Sequence, residues 1–517
     1  MVMAAAETKG SMKTVGDKTL DTGPDDNSII VVEEPQVVVH LQSSDLRCDM
    51  NVISLICFGF SLSSSWAALS LSSVIAIIQG GTVTLLYGTI VVALPYLCTG
   101  LTLAELISVY PTAGGQYHFA YILAPARWRK SLSYISGLAS LCAWFSISAG
   151  TFLITAEIII ALVIQFHPDY VPQGWHYFLL YETFNIFATV YNICLVKKYP
   201  RIYNVAFLLS MVGVIVIPIV CLARAERRQP SNVVWTTFTN NTGWTDSICF
   251  ITGLVTPAFS FGGLDATMHL VEETLSPKKA VSRAICYTVG MGFVTAFLFV
   301  IATVYCIQDI DIVVATPTRL PIYELWMQAT QSTAAATTFI VLLLTIDLIV
   351  CVATVQTMSR LTWALGRDNA FVWSHYLAQV HPKLEVPLWS LIADGVIVGF
   401  LGCLYLVSTV GIASQLLQFA FAIPIALLVW QKRSPIYLPK DREFRLSNPV
   451  GYFCHFVAIC WAIFICVFFM FPPNLPVSAS SMNYAAVVVF IAVLVGIGNW
   501  FAHACKHFEG PIIEFRE

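Results

Sequence analysis

Asp265, Asp347, Glu157 and Glu182 are carboxylates inside long apolar stretches of this 517-residue chain. A carboxylate among apolar neighbours is costly unless it is paired, hydrated or protonated, so its chemistry is to hold a cation or to carry a proton. Asp265 closes the run Thr256-Pro257-Ala258-Phe259-Ser260-Phe261-Gly262-Gly263-Leu264-Asp265. Proline deletes a helix hydrogen bond and the glycine pair gives up about 2 kcal/mol of helix propensity, so the run is not one continuous helix. Asp265 is expected to bind a substrate cation, to carry a coupling proton, or to cap the helix that restarts after the break. Asp347 is the second candidate for proton coupling.

The elements that must position these groups follow from composition. Apolar residues make up 57% of the chain and charged ones 11%, too few for a water-exposed surface. They form blocks of about twenty, the length that crosses roughly 30 Å of hydrocarbon as a helix. Twelve membrane spans are expected at 50–76, 80–105, 131–163, 177–196, 202–224, 246–271, 282–307, 333–362, 387–408, 411–431, 450–472 and 483–505. The bilayer is thus the main partner. With both termini in the cytoplasm, all the 27 Lys and Arg except Arg224, Arg227, Arg228 and Arg319 fall on the cytoplasmic side, as positive charge resists translocation. The sequon Asn240-Asn241-Thr242 then lies outside.

At bilayer depth these carboxylates become functional candidates, Asp265 and Asp347 at mid-depth and Glu157 and Glu182 nearer the outer ends of their spans. A second break is expected in span one, where Gly59, Phe60, Ser63, Ser64, Ser65 and Trp66 put hydroxyls where they compete for backbone hydrogen bonds. Interruptions five spans apart match an inverted repeat, spans one to five against six to ten, whose first helices break around a central site. The half-helix after the first break points free N–H groups at that site, so a substrate carboxylate could dock on Ser63, Ser64 and Ser65. A quaternary ammonium would need aromatic faces, for which Phe60, Trp66, Trp144, Phe259 and Phe261 are available. Ser260, Gly262 and Gly263 complete the expected substrate-binding set. Glu105, Glu272 and Glu273 lie near the cytoplasmic ends of their spans and read as a gate.

Other chemistry is excluded. There is no phosphate-binding G-x-x-x-x-G-K-[ST] loop, so transport work would draw on a gradient, and no hydrolase or metalloprotease motif. No enzyme activity, cofactor or metal is expected. The 15 cysteines follow no C-x-x-C spacing and read as small buried residues. The net charge of −3, without a basic-aromatic run, argues against nucleic acid. Residues 1–47 are polar, lack an apolar signal region and read as a disordered cytoplasmic tail. The core is expected over 48–431, two peripheral helices over 432–505, and a short cytoplasmic tail over 506–517.

Phe259 to Asp265, continuing to His269 and Glu272-Glu273, resembles the sixth-helix motif of the amino acid-polyamine-organocation superfamily. Pro111-Thr112-Ala113-Gly114-Gly115-Gln116-Tyr117 resembles its loop after helix two, and Ser359-Arg360 with Ala364-Leu365-Gly366-Arg367-Asp368 its segment between helices eight and nine. The likeness covers residues 48–505 and is closest to the fungal amino acid/choline transporter group of choline, GABA and polyamine permeases. It implies an all-α integral membrane fold like the bacterial leucine transporter, with ten core and two peripheral helices. It also implies uptake at the plasma membrane, usually coupled to protons. One departure stands out: where many amino-acid members carry Gly-Ser-Gly in helix one, this chain has Ser63-Ser64-Ser65-Trp66.

The expected function is therefore secondary active import of a small nitrogen compound, choline or an amino acid such as GABA. Rival readings are a polyamine permease, a nutrient sensor on the same fold, and a channel. A sensor is expected to carry a long cytoplasmic extension, and a channel a continuous polar pore.

Overall fold

A computed structural model describes residues 36–39, 50–195, 199–403, 409–478, 482–511 and 513–516. Apolar sequence in long blocks forms helices that satisfy every backbone group internally. In chain order these include α1 (Val52–Ser63), α2 (Ser65–Leu71), α3 (Gly81–Val109), α4 (Gln116–Leu123), α5 (Arg129–Phe166), α6 (Gly174–Cys194), α7 (Tyr199–Arg224) and α8 (Asp246–Gly253). There follow α9 (Val255–Ser260), α10 (Ala266–His269), α11 (Pro277–Val304), α12 (Thr333–Arg367), α13 (Leu388–Gly402), α14 (Thr409–Trp430), α15 (Asn448–Phe468) and α16 (Ala485–Asn499).

A helix occupies every stretch expected to span. Nine of the described helical runs are long and apolar enough to cross a membrane. The stretches at 246–271 and 387–408 hold shorter apolar helices, Asp246–Ser260 and Leu388–Gly402. Residues 404–408 of the latter stretch lie outside the described residues. The remaining stretch holds α6, which has the length but carries Glu182 and a run of polar and aromatic residues.

Large apolar side chains point outward around the bundle, among them Leu94 of α3, Leu208 and Ile219 of α7, Leu298 of α11, Phe400 of α13 and Phe456 of α15. Water would penalise such a surface, and lipid does not. The core is built by α1 packing on α7 and α11, α3 on α11, and α5 on α12 and α14. α15 leans on α3 and α14, and α16 stands at the rim with most of its surface outward.

Both ends of the chain meet one face of the bundle. The Met50 amide donates to the Glu273 carbonyl (3.0 Å) and the Glu509 amide to the Asp368 carbonyl (3.2 Å). Most of the expected disordered tail, residues 1–35 and 40–47, lies outside the described residues; Gln36–Val39 is a short strand paired antiparallel with Ile513–Arg516. The bundle is otherwise helical among the described residues.

The two interruptions differ in kind. Between α1 and α2 the break is one residue: Ser64 takes a left-handed conformation (φ 31°), yet its amide still donates to the Phe60 carbonyl (2.7 Å). Between α9 and α10 five residues, 261–265, leave the helix, with Gly263 at φ 76°. Gly262 and Gly263 have no side chain to resist this, and the Gly263 position admits none, since a Cβ there would lie 2.6 Å from Leu62 Cδ2.

Candidate functional site

The two interruptions meet around a cavity of about 50 Å³. Leu62, Ser63 and Ser64 line it from the first break, Phe259 and Gly262 from the second. Ile147, Thr151 and Ile154 of α5 and Asp347, Val350 and Thr354 of α12 form further parts of the wall, with apolar residues of α2 beside them. Such a volume accepts a few waters, whereas small-molecule pockets run from roughly 300 Å³, so the bundle is closed around this cavity.

Asp347 is the one charged side chain in that wall. It is 9% exposed and accepts a short hydrogen bond from the Thr155 hydroxyl. With Ser63, Ser64, Thr151 and Thr354 it makes a small polar patch on an otherwise apolar surface. That patch can attract a cation and offer hydroxyls to a polar head group.

The other residues expected to bind substrate are distributed around the cavity. Ser63 Oγ donates back to the Gly59 carbonyl (3.1 Å), and Ser64 Oγ lies 3.4 Å from Ser210 Oγ. Ser65 turns away and packs against Gly292, where a Cβ would lie 2.7 Å from its Oγ. Gly59 serves close packing, since a Cβ there would lie 2.5 Å from Thr288 Oγ1. Four of the five aromatic candidates are packed elsewhere. Phe60 meets Phe207 edge-on, Phe261 tilts on Tyr96, and Trp66 tilts on Phe299 while its indole N–H donates to Ser210 (2.7 Å). Trp144 turns to Asp265, which leaves Phe259 as the aromatic wall. Ser260 is buried and donates to the Pro257 carbonyl (2.7 Å), holding the last turn of α9.

Asp265 does not line the cavity. It is fully buried, and its carboxylate does not cap α10. Instead Oδ2 gathers Gln116 Nε2 (2.9 Å), Trp144 Nε1 (3.3 Å) and His269 Nε2 (3.1 Å). The other His269 nitrogen, Nδ1, contacts the Ala113 carbonyl at 2.8 Å. The carboxylate thus ties the broken helix to the loop after α3 and to α5.

On the face that holds the chain ends, ion pairs close the bundle below this network. Glu273 binds Arg360 Nε (2.7 Å), both nearly buried, and Glu272 takes Arg367 in a two-point contact (3.0 and 3.2 Å). Both join the segment after α10 to the end of α12. Their partners are not Lys278, Lys279 or Arg283, which follow in sequence. Asp368 adds a third tie, accepting from Tyr117 (3.0 Å) and pairing with His118 (2.6 Å). Glu105 is placed differently: fully buried, it binds Arg433, Arg442 (2.7 Å) and the Leu446 amide (2.9 Å), fastening α3 to the segment between α14 and α15.

Sequence reasoning did not mention His118, and noted Gln116, His269 and Asp368 only as parts of motifs. The spacing of Asp265 and His269, one helical turn, was the available signal.

Residues 50–494 match the family model described as amino acid permease. A choline transporter of Saccharomyces cerevisiae is 34% identical over 473 residues, covering 90% of this chain and 83% of that one. A 7-keto 8-aminopelargonic acid transporter of the same yeast is 26% identical (88% and 92% covered), as is an amino-acid permease of Arabidopsis thaliana (95% and 98%). These are transporters and not enzymes. A bundle broken twice around a small cavity, matching this family's model over residues 50–494, belongs to the amino acid permease family of the amino acid-polyamine-organocation superfamily.

Proposed function

We propose that this chain is a secondary active importer of a small nitrogen compound, choline or an amino acid such as GABA, coupled to protons and working by alternating access. The observation that carries the reading is the cavity between the two broken helices, with Asp347 as its one carboxylate and Ser63, Ser64 and Thr354 beside it. A lone carboxylate in an apolar wall selects a cationic head group, and Phe259 offers a quaternary ammonium one aromatic face. Likeness to a choline transporter over nine-tenths of the chain supports the same class of substrate.

In this reading twelve spans cross the membrane, the first ten form two inverted repeats over 48–431, and two peripheral helices occupy 432–505. Both termini are cytoplasmic and the membrane is the plasma membrane. The ion pairs of Glu272 and Glu273 then close the cytoplasmic side. Asp347 lies thirteen residues before Arg360 on α12, about 20 Å toward the other face, so the closed gate and the site are well separated.

Uptake into proteoliposomes tests the proposal, with labelled choline and GABA in competition against a polyamine and neutral amino acids. Saturable accumulation that collapses with the proton gradient is the expected result. Flux that never saturates, or no uptake of any of these compounds, overturns it.

A further inference from the structure

We propose that Asp265 and His269 together hold one exchangeable proton, and that releasing it unlocks the seal between the broken helix and the loop after α3. This rests on the transport reading for its use, but the protonation follows from hydrogen-bond geometry alone.

A carbonyl oxygen only accepts, so His269 Nδ1, 2.8 Å from the Ala113 oxygen, must carry a hydrogen. At the other side of the ring Nε2 lies 3.1 Å from Asp265 Oδ2. Two bare lone pairs repel at that distance, so a second hydrogen must lie between them. Oδ2 also receives Gln116 and Trp144 N–H groups, which favours a carboxylate facing an imidazolium over a carboxylic acid facing an imidazole. Either way the pair is neutral and contains one proton more than an ionised carboxylate with a neutral ring.

Removing that proton breaks the Nε2–H bond, gives the proton to water as hydronium, and leaves a buried carboxylate opposite the lone pair of a neutral ring. Both side chains are fully buried, so the remaining negative charge has no solvent to relieve it. The ring must then leave Ala113 or the carboxylate must leave the ring, and either motion parts α10 from the loop. Asp265 Oδ1 has no hydrogen-bond partner among the described residues, which makes it the position where an entering water can meet the pair.

Of the other titratable groups on the elements packed around the pair, Lys278, Lys279 and Arg283 of α11 are exposed at its start, Asp347 of α12 faces the cavity, and the nearer ones have their own partners or are thiols. Arg360 and Arg367 of α12 are held by Glu273 and Glu272, and Tyr117 and His118 of α4 by Asp368. Glu105 of α3 holds Arg433 and Arg442; Cys57 of α1 and Cys142 of α5 are thiols. The segment Arg360 to Asp368 thus closes the face through fixed ion pairs, and the Asp265–His269 pair is the link whose strength a proton controls.

The test uses the full chain in proteoliposomes with Ala113→Cys as a reporter, labelled by a membrane-impermeant maleimide and read at that site by mass spectrometry. Labelling, divided at each pH by that of an exposed reference cysteine because the thiolate is the reacting form, is expected to rise at least about tenfold as the pH is raised, as one proton controls opening. In Asp265→Asn the carboxylate that shares the proton is gone and one amide atom cannot both accept from Gln116 and Trp144 and donate to Nε2, so labelling is expected to lose the parent's pH dependence. In His269→Gln it loses its pH dependence. Labelling that ignores pH in the parent, or keeps the parent's pH dependence in both variants, overturns the proposal. Choline or GABA uptake is measured on the same vesicles. If the parent transports neither, the transport reading fails and the labelling still decides the proton pair. If it transports, Asp265→Asn is expected to keep exchange across the bilayer and lose accumulation driven by a proton gradient.

Discussion

Glu273 and Arg360 form a buried ion pair at 2.7 Å that joins the segment following the broken helix to the end of α12. Eighty-seven residues separate them, so the contact spans two halves of the bundle. Parting them leaves a charge uncompensated in an apolar setting, which costs about 3–5 kcal/mol. Arg360→Leu is therefore expected to lower the melting temperature and to expose the chain-end face to impermeant thiol reagents. The charge swap Glu273→Arg with Arg360→Glu is expected to recover part of the stability. A melting temperature and labelling pattern unchanged in Arg360→Leu would mean that this pair does not close the face.

How much of this was legible beforehand follows from the same pair. Proline and glycine inside an apolar run announce a break whatever surrounds them, so the Phe259 to Asp265 interruption could be read from sequence. Carboxylates at mid-depth stand out for the same reason. Their partners do not: Gln116 and Asp265 lie 149 residues apart and His118 and Asp368 lie 250 apart, and no local period connects them. Aromatics in a membrane helix face lipid, a neighbouring helix or a cavity with equal ease. Trp66 and Phe60 therefore looked like cage residues, yet they pack on Phe299 and Phe207.

In the proposed function Asp347, which lines the cavity, is the charge a cationic substrate meets. A cation about 4 Å from a carboxylate gains roughly 4 kcal/mol at an effective dielectric near 20, close to three decades of affinity. Asp347→Asn is expected to reduce choline or GABA uptake by about two to three orders of magnitude while leaving the detergent melting curve near that of the parent. Asp347→Glu is expected to retain part of the activity. Normal uptake by Asp347→Asn would remove this residue from the site.

Gly263 sits at φ 76° with Leu62 Cδ2 2.6 Å from where a Cβ would stand. A side chain there meets both a backbone penalty of about 1–2 kcal/mol and a clash. Gly263→Ala is expected to lower thermal stability and abolish uptake. Trimming the obstacle in Gly263→Ala with Leu62→Ala is expected to restore some stability but not the full value, because φ stays unfavourable. Complete recovery in the double variant would show that the clash alone matters.

Ser64 holds a left-handed backbone (φ 31°) that costs a non-glycine residue on the order of 1 kcal/mol, while its side chain lines the cavity. Ser64→Gly removes both the strain and the side chain. The melting temperature is expected to hold or rise slightly. Competition by α-amino acids against labelled choline is expected to strengthen, because the backbone at the break becomes easier to approach. An unchanged inhibition profile would place the determinant of head-group choice elsewhere.

Glu105 separates an anchor from a gate. Its partners, Arg433, Arg442 and the Leu446 amide, all belong to the segment between α14 and α15, and none belongs to the broken helices or α12. Glu105→Gln leaves two guanidinium groups around a neutral amide, so the folded state loses stability, by about 3–5 kcal/mol for a broken buried pair. The protein that does fold keeps its cavity and its ties at Glu272 and Glu273. Purified yield and melting temperature are expected to fall while the KM of the surviving transporter stays within about twofold of the parent, a shift under 0.5 kcal/mol. A changed KM with an unchanged melting temperature would instead make Glu105 part of the gate, as its position at the end of α3 first suggested.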